Sequence, residues 1–490
     1  MPALLALLLI LLILHGESFH STQPSARSLR IKSSSLKVTL NEAGLLLDKT
    51  LDTLEDVALH FKRLLTSPLN TAKGSGKRRP VVVVLGSGWS AHCFLKVIDT
   101  DKFEVKCISP RPYFIFTPML TSAAVGTTEF TSIVESIRSA NPLVDFIEGE
   151  AKLIDTSNSI IQVESSLDFK ASRFNVTFDH LVYAVGSQVS DFNVPGVREH
   201  CCFIKEIQDV RIIKQRICDA FERASLPGTS ELDIVSQLSF VIVGGGPTGV
   251  EFAGELSDFL REDLARIYPR LLPHSRVILL NSGANILTAF DLILQQKAVE
   301  SLRSRGIDIR LNTRVTAVHA DRVCFRSDEG TALEISCSGL CVWAAGNTFR
   351  PVTLEFAKRL GPEQEESVQR TGRLAVDKYL RLRGNNSSST SSPPPHQMFA
   401  MGDASRIISS DPLSAQALPQ TAQVAAQQGA YLARLLNRGY NTSLTTPQIS
   451  SDIWWTNIVK AIQVRGVLEA KAFQFLNLGL LAYVGDYKVL

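Results

Sequence analysis

Two stretches of this chain repeat one arrangement, and that repeat limits the fold more than anything else in it. The first is Val81 to Ala91 (VVVVLGSGWSA), five β-formers that enter Gly86-Ser87-Gly88 and reach Ala91. The second is Phe240 to Glu251 (FVIVGGGPTGVE), a run that enters Gly244-Gly245-Gly246 and continues through Thr248 and Gly249. A continuous apolar run of this kind suits a parallel strand buried on both faces. In a G-x-G-x-x-G/A turn the first glycine permits the tight bend and the second lets the backbone approach a phosphate. The third position, if small, keeps helix and strand close. The amides that open the helix then face the anion. One such turn is a weak signal. Two, each behind an explicit strand, predict an α/β chain with two Rossmann-like dinucleotide-binding domains.

Two dinucleotide sites in one chain imply two cofactors, and the natural pair is FAD with NAD(P)H. The length of 490 residues allows two to four domains at roughly 100–200 residues each. A net charge of +3, with no concentrated basic surface in the sequence, gives no reason to expect a nucleic-acid partner. The longest apolar run, Ala3 to Leu14, falls short of the ~18–20 residues that span a bilayer. It has the length of a signal-peptide core. The stretch from Glu17 to Glu42 carries Arg27, Arg30, Lys32 and Lys37 among many serines and no acid between those two glutamates, which is transit-peptide composition. The pair reads as a mitochondrial presequence or a bipartite plastid leader, with a short membrane-surface anchor as the alternative. Leu47, Leu51, Leu54, Ala58, Phe61 and Leu65 form one face of a helix, with a capping box at Thr39 to Glu42, before a Gly/Ser/Lys linker at 67–79. The eight cysteines show no C-x-x-C, and no acidic loop has EF-hand spacing, so no metal site is expected.

Three further segments fall in a telling order. They are Asp179 to Ser187 (DHLVYAVGS), Leu340 to Asn347 (LCVWAAGN) and Met398 to Ala404 (MFAMGDA). They resemble the two A-x-G crossovers and the flavin-contacting G-D of flavoproteins with two dinucleotide-binding domains, which assigns Ala184, Gly186, Ala345, Gly346, Gly402 and Asp403 to cofactor contacts. Ser109 to Leu120 (SPRPYFIFTPML) narrows the match. With Val125-Gly126, Gly245 to Glu251, Leu418 to Gln427 (LPQTAQVAAQ) and Phe473 to Gly485, it resembles the type II NADH dehydrogenases, single-subunit NAD(P)H:quinone oxidoreductases that do not pump protons.

The resemblance implies an FAD domain interrupted by an NAD(P)H domain. The expected layout is a targeting leader at 1–37, a helical extension and linker at 38–79, and FAD-binding parts at 80–195 and 347–440 around an NAD(P)H-binding domain at 196–346. A short membrane-facing segment at 441–490 ends earlier than the family usually does. Ser109 and Arg111 would neighbour the adenosine of FAD, Thr117 and Pro118 the isoalloxazine ring, and Asp403 the ribityl or ribose hydroxyls, unless Asp403 caps a following helix. Glu251 would stand near the nicotinamide and flavin rings, with a first-turn glutamate favoured by the helix dipole as the alternative. Gln423 and Gln427, four apart on one helical face, would line the quinone approach or be merely half-exposed polar positions. Asn281 stands where members that prefer NADH carry Glu, so NADPH is expected to be tolerated or preferred, with Arg276 or Arg314 as candidate phosphate contacts. The Trp-rich patch at Ile453, Trp454 and Trp455 would pack on the core or touch an interface. The implied partners are a quinone and a membrane surface, with a homodimer left open, and the implied place is the mitochondrial inner membrane. Between Ile108 and Val185 there is no cysteine, so electrons do not leave through a local disulfide. The rival readings are a sulfide:quinone or apoptosis-inducing-factor-like enzyme and a degenerate flavoprotein acting as a binding module.

Overall fold

In the computed structural model the described residues are 49, 52, 55–57, 59, 78–167, 172–384, 397–408, 417–448, 469–485 and 488–489. The leader, the capping box at Thr39 to Glu42, the apolar stripe from Leu47 to Leu65 and the Trp454-Trp455 patch lie outside them.

The first glycine turn joins strand β1 (Val81–Leu85) to helix α1 (Trp89–Val97). All five β1 side chains are buried, as a strand covered on both faces requires. Strand β2 (Glu104–Ser109) returns parallel beside β1. Strands β3 (Asp145–Asp155), β4 (Ile160–Ser165) and β5 (Arg173–Thr177) extend the sheet as an antiparallel meander, and β6 (His180–Tyr183) then crosses to the other side of β1. Helix α2 (Ile207–Ala224) carries the chain into the second half. Its buried stripe is Val210, Ile213, Ile217, Ala220 and Phe221, and its start is fixed by a reciprocal cap between Glu206 and Asp209.

The second half repeats the plan. Strand β7 (Ser239–Val243) enters the second glycine turn and helix α3 (Pro247–Phe259), followed by β8 (Arg276–Leu280), β9 (Asp308–Arg310), a three-stranded meander over 314–336 and β10 (Leu340–Trp343). The four parallel strands lie in the order β9-β8-β7-β10. The helix after the second glycine turn starts inside the motif, at Pro247, and a π-helical turn at Leu260–Leu264 interrupts it. Proline has no amide hydrogen to lose at a helix start, which suits it to that first position.

The chain then returns to the first sheet. Strand β11 (Met398–Ala400) pairs parallel with β6, completing the order β11-β6-β1-β2-β3-β4-β5. Helix α4 (Ala422–Asn437) lies against α1 at very short range: a Cβ on Gly429 would sit 2.1 Å from the Ser90 carbonyl oxygen. One apolar core surrounds β1 and β6, and two lie on the faces of the β7–β8 sheet, the larger of which also takes in Ile115, Leu120, Ala123, Ala124 and Val125 of the first half.

Two further features hold the halves together. The crossovers after β6 and β10 pair with each other, Ser187–Val189 antiparallel to Asn347–Phe349. The C-terminal segment runs from α4 in the first half to α3 in the second, where a Cβ on Gly254 would meet the backbone nitrogen of Gly485 at 2.8 Å. Arg434 of α4 and Arg438 just after it hold Asp52, Glu55 and Asp56 through a network of ion pairs.

Candidate functional site

The first crevice opens where β1 and β6 diverge, the switch point at which α/β sheets take ligands. Gly86 has φ +111°, and a Cβ there would lie 2.4 Å from the Ala184 carbonyl oxygen, so only glycine makes this bend. Gly88 and Gly186 have nothing within 4 Å of an ideal Cβ and face open ground. Ala91 is fully buried in the core beneath. Gly402 abuts Ser90, where a Cβ would sit 2.8 Å from Oγ, and its amide donates to Gln428 Oε1 at 2.7 Å. The first A-x-G crossover and the G-D turn therefore meet the first glycine turn in space.

Polar groups line this crevice. The Ser109 hydroxyl donates to Ser87 Oγ at 3.0 Å, and the Arg111 guanidinium reaches Ser87 Oγ, the Tyr113 carbonyl and Glu206 Oε2, the last at 2.6 Å. Asp403 does not cap a helix, because a short 3-10 turn and a strand follow it. Instead its Oδ2 accepts from Ser187 Oγ at 2.9 Å. Thr117 and Pro118 are exposed, and Thr117 Oγ1 accepts from the Trp89 indole at 3.0 Å. His92 stacks on Phe114 with centroids 4.1 Å apart, and burial pushes its imidazole down to about 4 despite Glu135 at 3.2 Å. It is therefore neutral at physiological pH and is a packing residue.

The second crevice follows the same steric logic. Gly244 has φ +119° and faces the Ala344 carbonyl, where a Cβ would be 2.7 Å away, while Gly246 has open space. Gly249 lies directly over Gly244, its Cβ position 2.0 Å from that carbonyl oxygen. Thr248 is half-buried in the first turn of α3. Gly346, at the second crossover after Ala345, sits under the Phe192 ring. Asn281 is turned inward: its Oδ1 accepts from the Gly245 amide at 3.1 Å, and its Nδ2 donates to the Gly283 and Asn285 carbonyls at 2.9 Å each. Arg276 stands beside Ser239, at the far end of the strands from the turn, so it is removed as a phosphate contact. Arg314 is at the near end and exposed, following Thr313, whose amide donates to the Asn281 carbonyl at 2.8 Å.

Glu251 lies one turn further along α3. Burial raises its carboxyl to about 7, a neighbouring Glu255 adds to the rise, and the Tyr483 backbone amide opposes it by donating to the carboxylate. Glu255 is itself raised by burial and accepts from Ser122 Oγ at 2.6 Å. Gln423 and Gln427 do share one face of α4, but each side-chain amide grips the backbone of the C-terminal segment. Gln423 donates to the Gly479 carbonyl and Gln427 to the Leu476 carbonyl, both at 2.8 Å, and each accepts an amide hydrogen in return. The segment they hold presents Leu478 and Leu481 to solvent at 70% and 78% exposure. The sequence reading missed Ser187, Lys205, Arg350 and Gln428, whose roles depend on contacts between distant segments.

The family model described as pyridine nucleotide-disulphide oxidoreductase matches residues 80–429. An "External alternative NAD(P)H-ubiquinone oxidoreductase B2, mitochondrial" of Arabidopsis thaliana is 38% identical over 339 residues, covering 68% of this chain and 55% of that protein. An "External NADH-ubiquinone oxidoreductase 2, mitochondrial" of Saccharomyces cerevisiae is 34% identical over 425 residues, 86% of this chain and 74% of that one. The chain belongs to the pyridine nucleotide-disulphide oxidoreductases, and within them to the type II NADH dehydrogenases. It spans about half the length of several curated relatives it matches, at 55–56%. The NDH2 structure of Plasmodium falciparum in complex with NADH overlays with a TM-score of 0.72 at 23% identity, covering 84% of this chain and 89% of that one, which fixes the shared fold. FAD is the cofactor that goes with this family. The first crevice fits it, with glycines open to a pyrophosphate, a carboxylate at Asp403 for hydroxyls and a guanidinium at Arg111.

Proposed function

We propose that this protein oxidises NAD(P)H and reduces a quinone. The observation that carries the reading is the junction itself. The two crevices open toward paired crossovers, and one C-terminal segment touches α4 of the first half and Glu251 of the second. Bound FAD would supply the two-electron chemistry between donor and quinone. The chain's own part is placement. The amides after Gly88 and Gly246 favour phosphates. The Asn281 amide braces the second turn from behind. The Glu251 carboxyl, titrating near 7, can both donate and accept a hydrogen bond at physiological pH, which suits holding a carboxamide.

The leucines clamped above α4 by Gln423 and Gln427 offer an apolar approach for a quinone and a contact with a membrane surface. Among the described residues no helix is long and apolar enough to cross a membrane. The mitochondrial relatives and the basic, Ser-rich leader support a mitochondrial protein bound peripherally at the inner membrane, with a plastid as the alternative address. The cysteines do not support sulfide oxidation. Cys201 and Cys341 lie under the second sheet with sulfurs 3.5 Å apart, and Cys107 is buried in β2. NADPH as an accepted donor rests on Asn281, which lacks the charge that would repel a 2′-phosphate. The test is steady-state NADH and NADPH oxidation with a short-chain ubiquinone, against sulfide as donor. Turnover that needs NAD(P)H and quinone supports the reading; turnover only with sulfide, or none with a flavin-loaded protein, contradicts it.

A further inference from the structure

Lys205 is a half-buried charged residue in the junction. It lies just before the Glu206 cap of α2, on the segment that leads into the second half, yet its ammonium points back to the first crevice. There it donates to Ser187 Oγ at a long 3.4 Å, and Ser187 in turn donates to Asp403. Among the described residues no carboxylate comes within ion-pair distance of it. Glu206, its neighbour, is already engaged with Arg111 at 2.6 Å, and the Arg350 guanidinium stands nearby, spent on the Val185 carbonyl at 2.9 Å. Burial and the nearby Arg350 and Arg111 charges lower the ammonium, while Asp403 and Glu206 oppose that shift. A half-buried cation with one long hydrogen bond and two cationic neighbours is electrostatically incomplete. The missing element is an anion, and the cation sits where the Gly186–Ser187 crossover and the Gly402-Asp403 turn converge on the first glycine turn.

We propose that Lys205 faces the pyrophosphate of the bound flavin dinucleotide, so that the second half of the chain completes the cofactor site of the first. This rests on the assignment of FAD to the first crevice. A pyrophosphate brings two negative charges and acceptor oxygens, and an ammonium is a compact donor to such a group. The contact also ties flavin retention to the seating of the 202–206 segment, whose backbone is anchored on β10 by Cys202.

The test uses full-length protein stripped of FAD and titrated back with it, followed by flavin fluorescence. Lys205→Met is expected to weaken FAD binding roughly tenfold or more, the scale of a lost hydrogen bond to a charged group. Lys205→Arg is expected to restore most of it, and added salt should weaken wild type more than the Met variant. The flavin midpoint potential should stay near that of wild type, because pyrophosphate charge does not change on reduction. Circular dichroism of the stripped variants checks that they fold. Equal FAD affinity in wild type and Lys205→Met overturns the inference while leaving the FAD site standing. A lowered midpoint potential at unchanged affinity also overturns it, placing the charge against the reducible ring. Wild-type protein that takes up no FAD overturns the site and the inference together.

Discussion

Replacing Glu251 by Gln tests the electrostatics of the junction quantitatively. The carboxyl is held at about 7 rather than its ordinary 4.5, chiefly by burial. The sign follows from linkage. A carboxyl whose pKa is raised on folding stays protonated in the native state while its unfolded counterpart ionises, so the protein carries no penalty well below pH 4.5, accumulates it between 4.5 and 7, and carries it in full above 7. The full shift corresponds to roughly 3 kcal/mol at pH 8.5 and above. Glutamine keeps an oxygen for the Tyr483 amide and never ionises. The variant should therefore lie within about 1 kcal/mol of wild type at pH 5 and melt higher at pH 8.5, by about 3 °C for a chain of 490 residues. Thermal melts of the FAD-loaded proteins at the two pH values measure this. Equal differences at pH 5 and 8.5, or a variant less stable at pH 8.5, would refute the burial argument.

The remaining predictions concern separate parts of the site. Gly86→Ala should lose FAD and Gly244→Ala should raise the KM for the nicotinamide donor with FAD retained. Each added methyl meets a carbonyl oxygen, at 2.4 Å and 2.7 Å, in a conformation costing on the order of 1–3 kcal/mol. Gln427→Ala should free the C-terminal segment, read as faster proteolysis around 471–481 and weaker binding to vesicles. Unchanged cleavage would mean the two backbone hydrogen bonds do not anchor it. Asn281→Glu should lower kcat/KM for NADPH at least tenfold relative to NADH, the scale of a like charge placed beside a phosphate. It should also loosen the turn that Asn281 braces, so some loss with NADH accompanies it.

The repeated strand–turn–helix units were legible because their constraints are local. Five buried β-formers and a glycine that must take positive φ leave few alternatives at Val81–Gly86 and again at Phe240–Gly244. Helix limits were less legible. The start at Pro247 hides inside the glycine motif, and the π-turn at 260–264 has no sequence period of its own. Side-chain roles at the junction were least legible, because they depend on segments far apart in the chain. Nothing near Gln423 or Gln427 signals that residues 476–479 lie across them. Nothing near Asn281 signals that its amide turns back to Gly245. Lys205 belongs to no sequence motif, and only the convergence of Ser187 and Asp403 gives it a place.

The most direct test of the account is the visible spectrum of the purified protein under anaerobic conditions. A yellow, FAD-loaded protein should bleach on adding NADH or NADPH and regain its colour on adding a short-chain ubiquinone, in successive cycles with one flavin per chain. A flavin that stays oxidised with both nucleotides, or one that bleaches and is not restored by quinone, would contradict it.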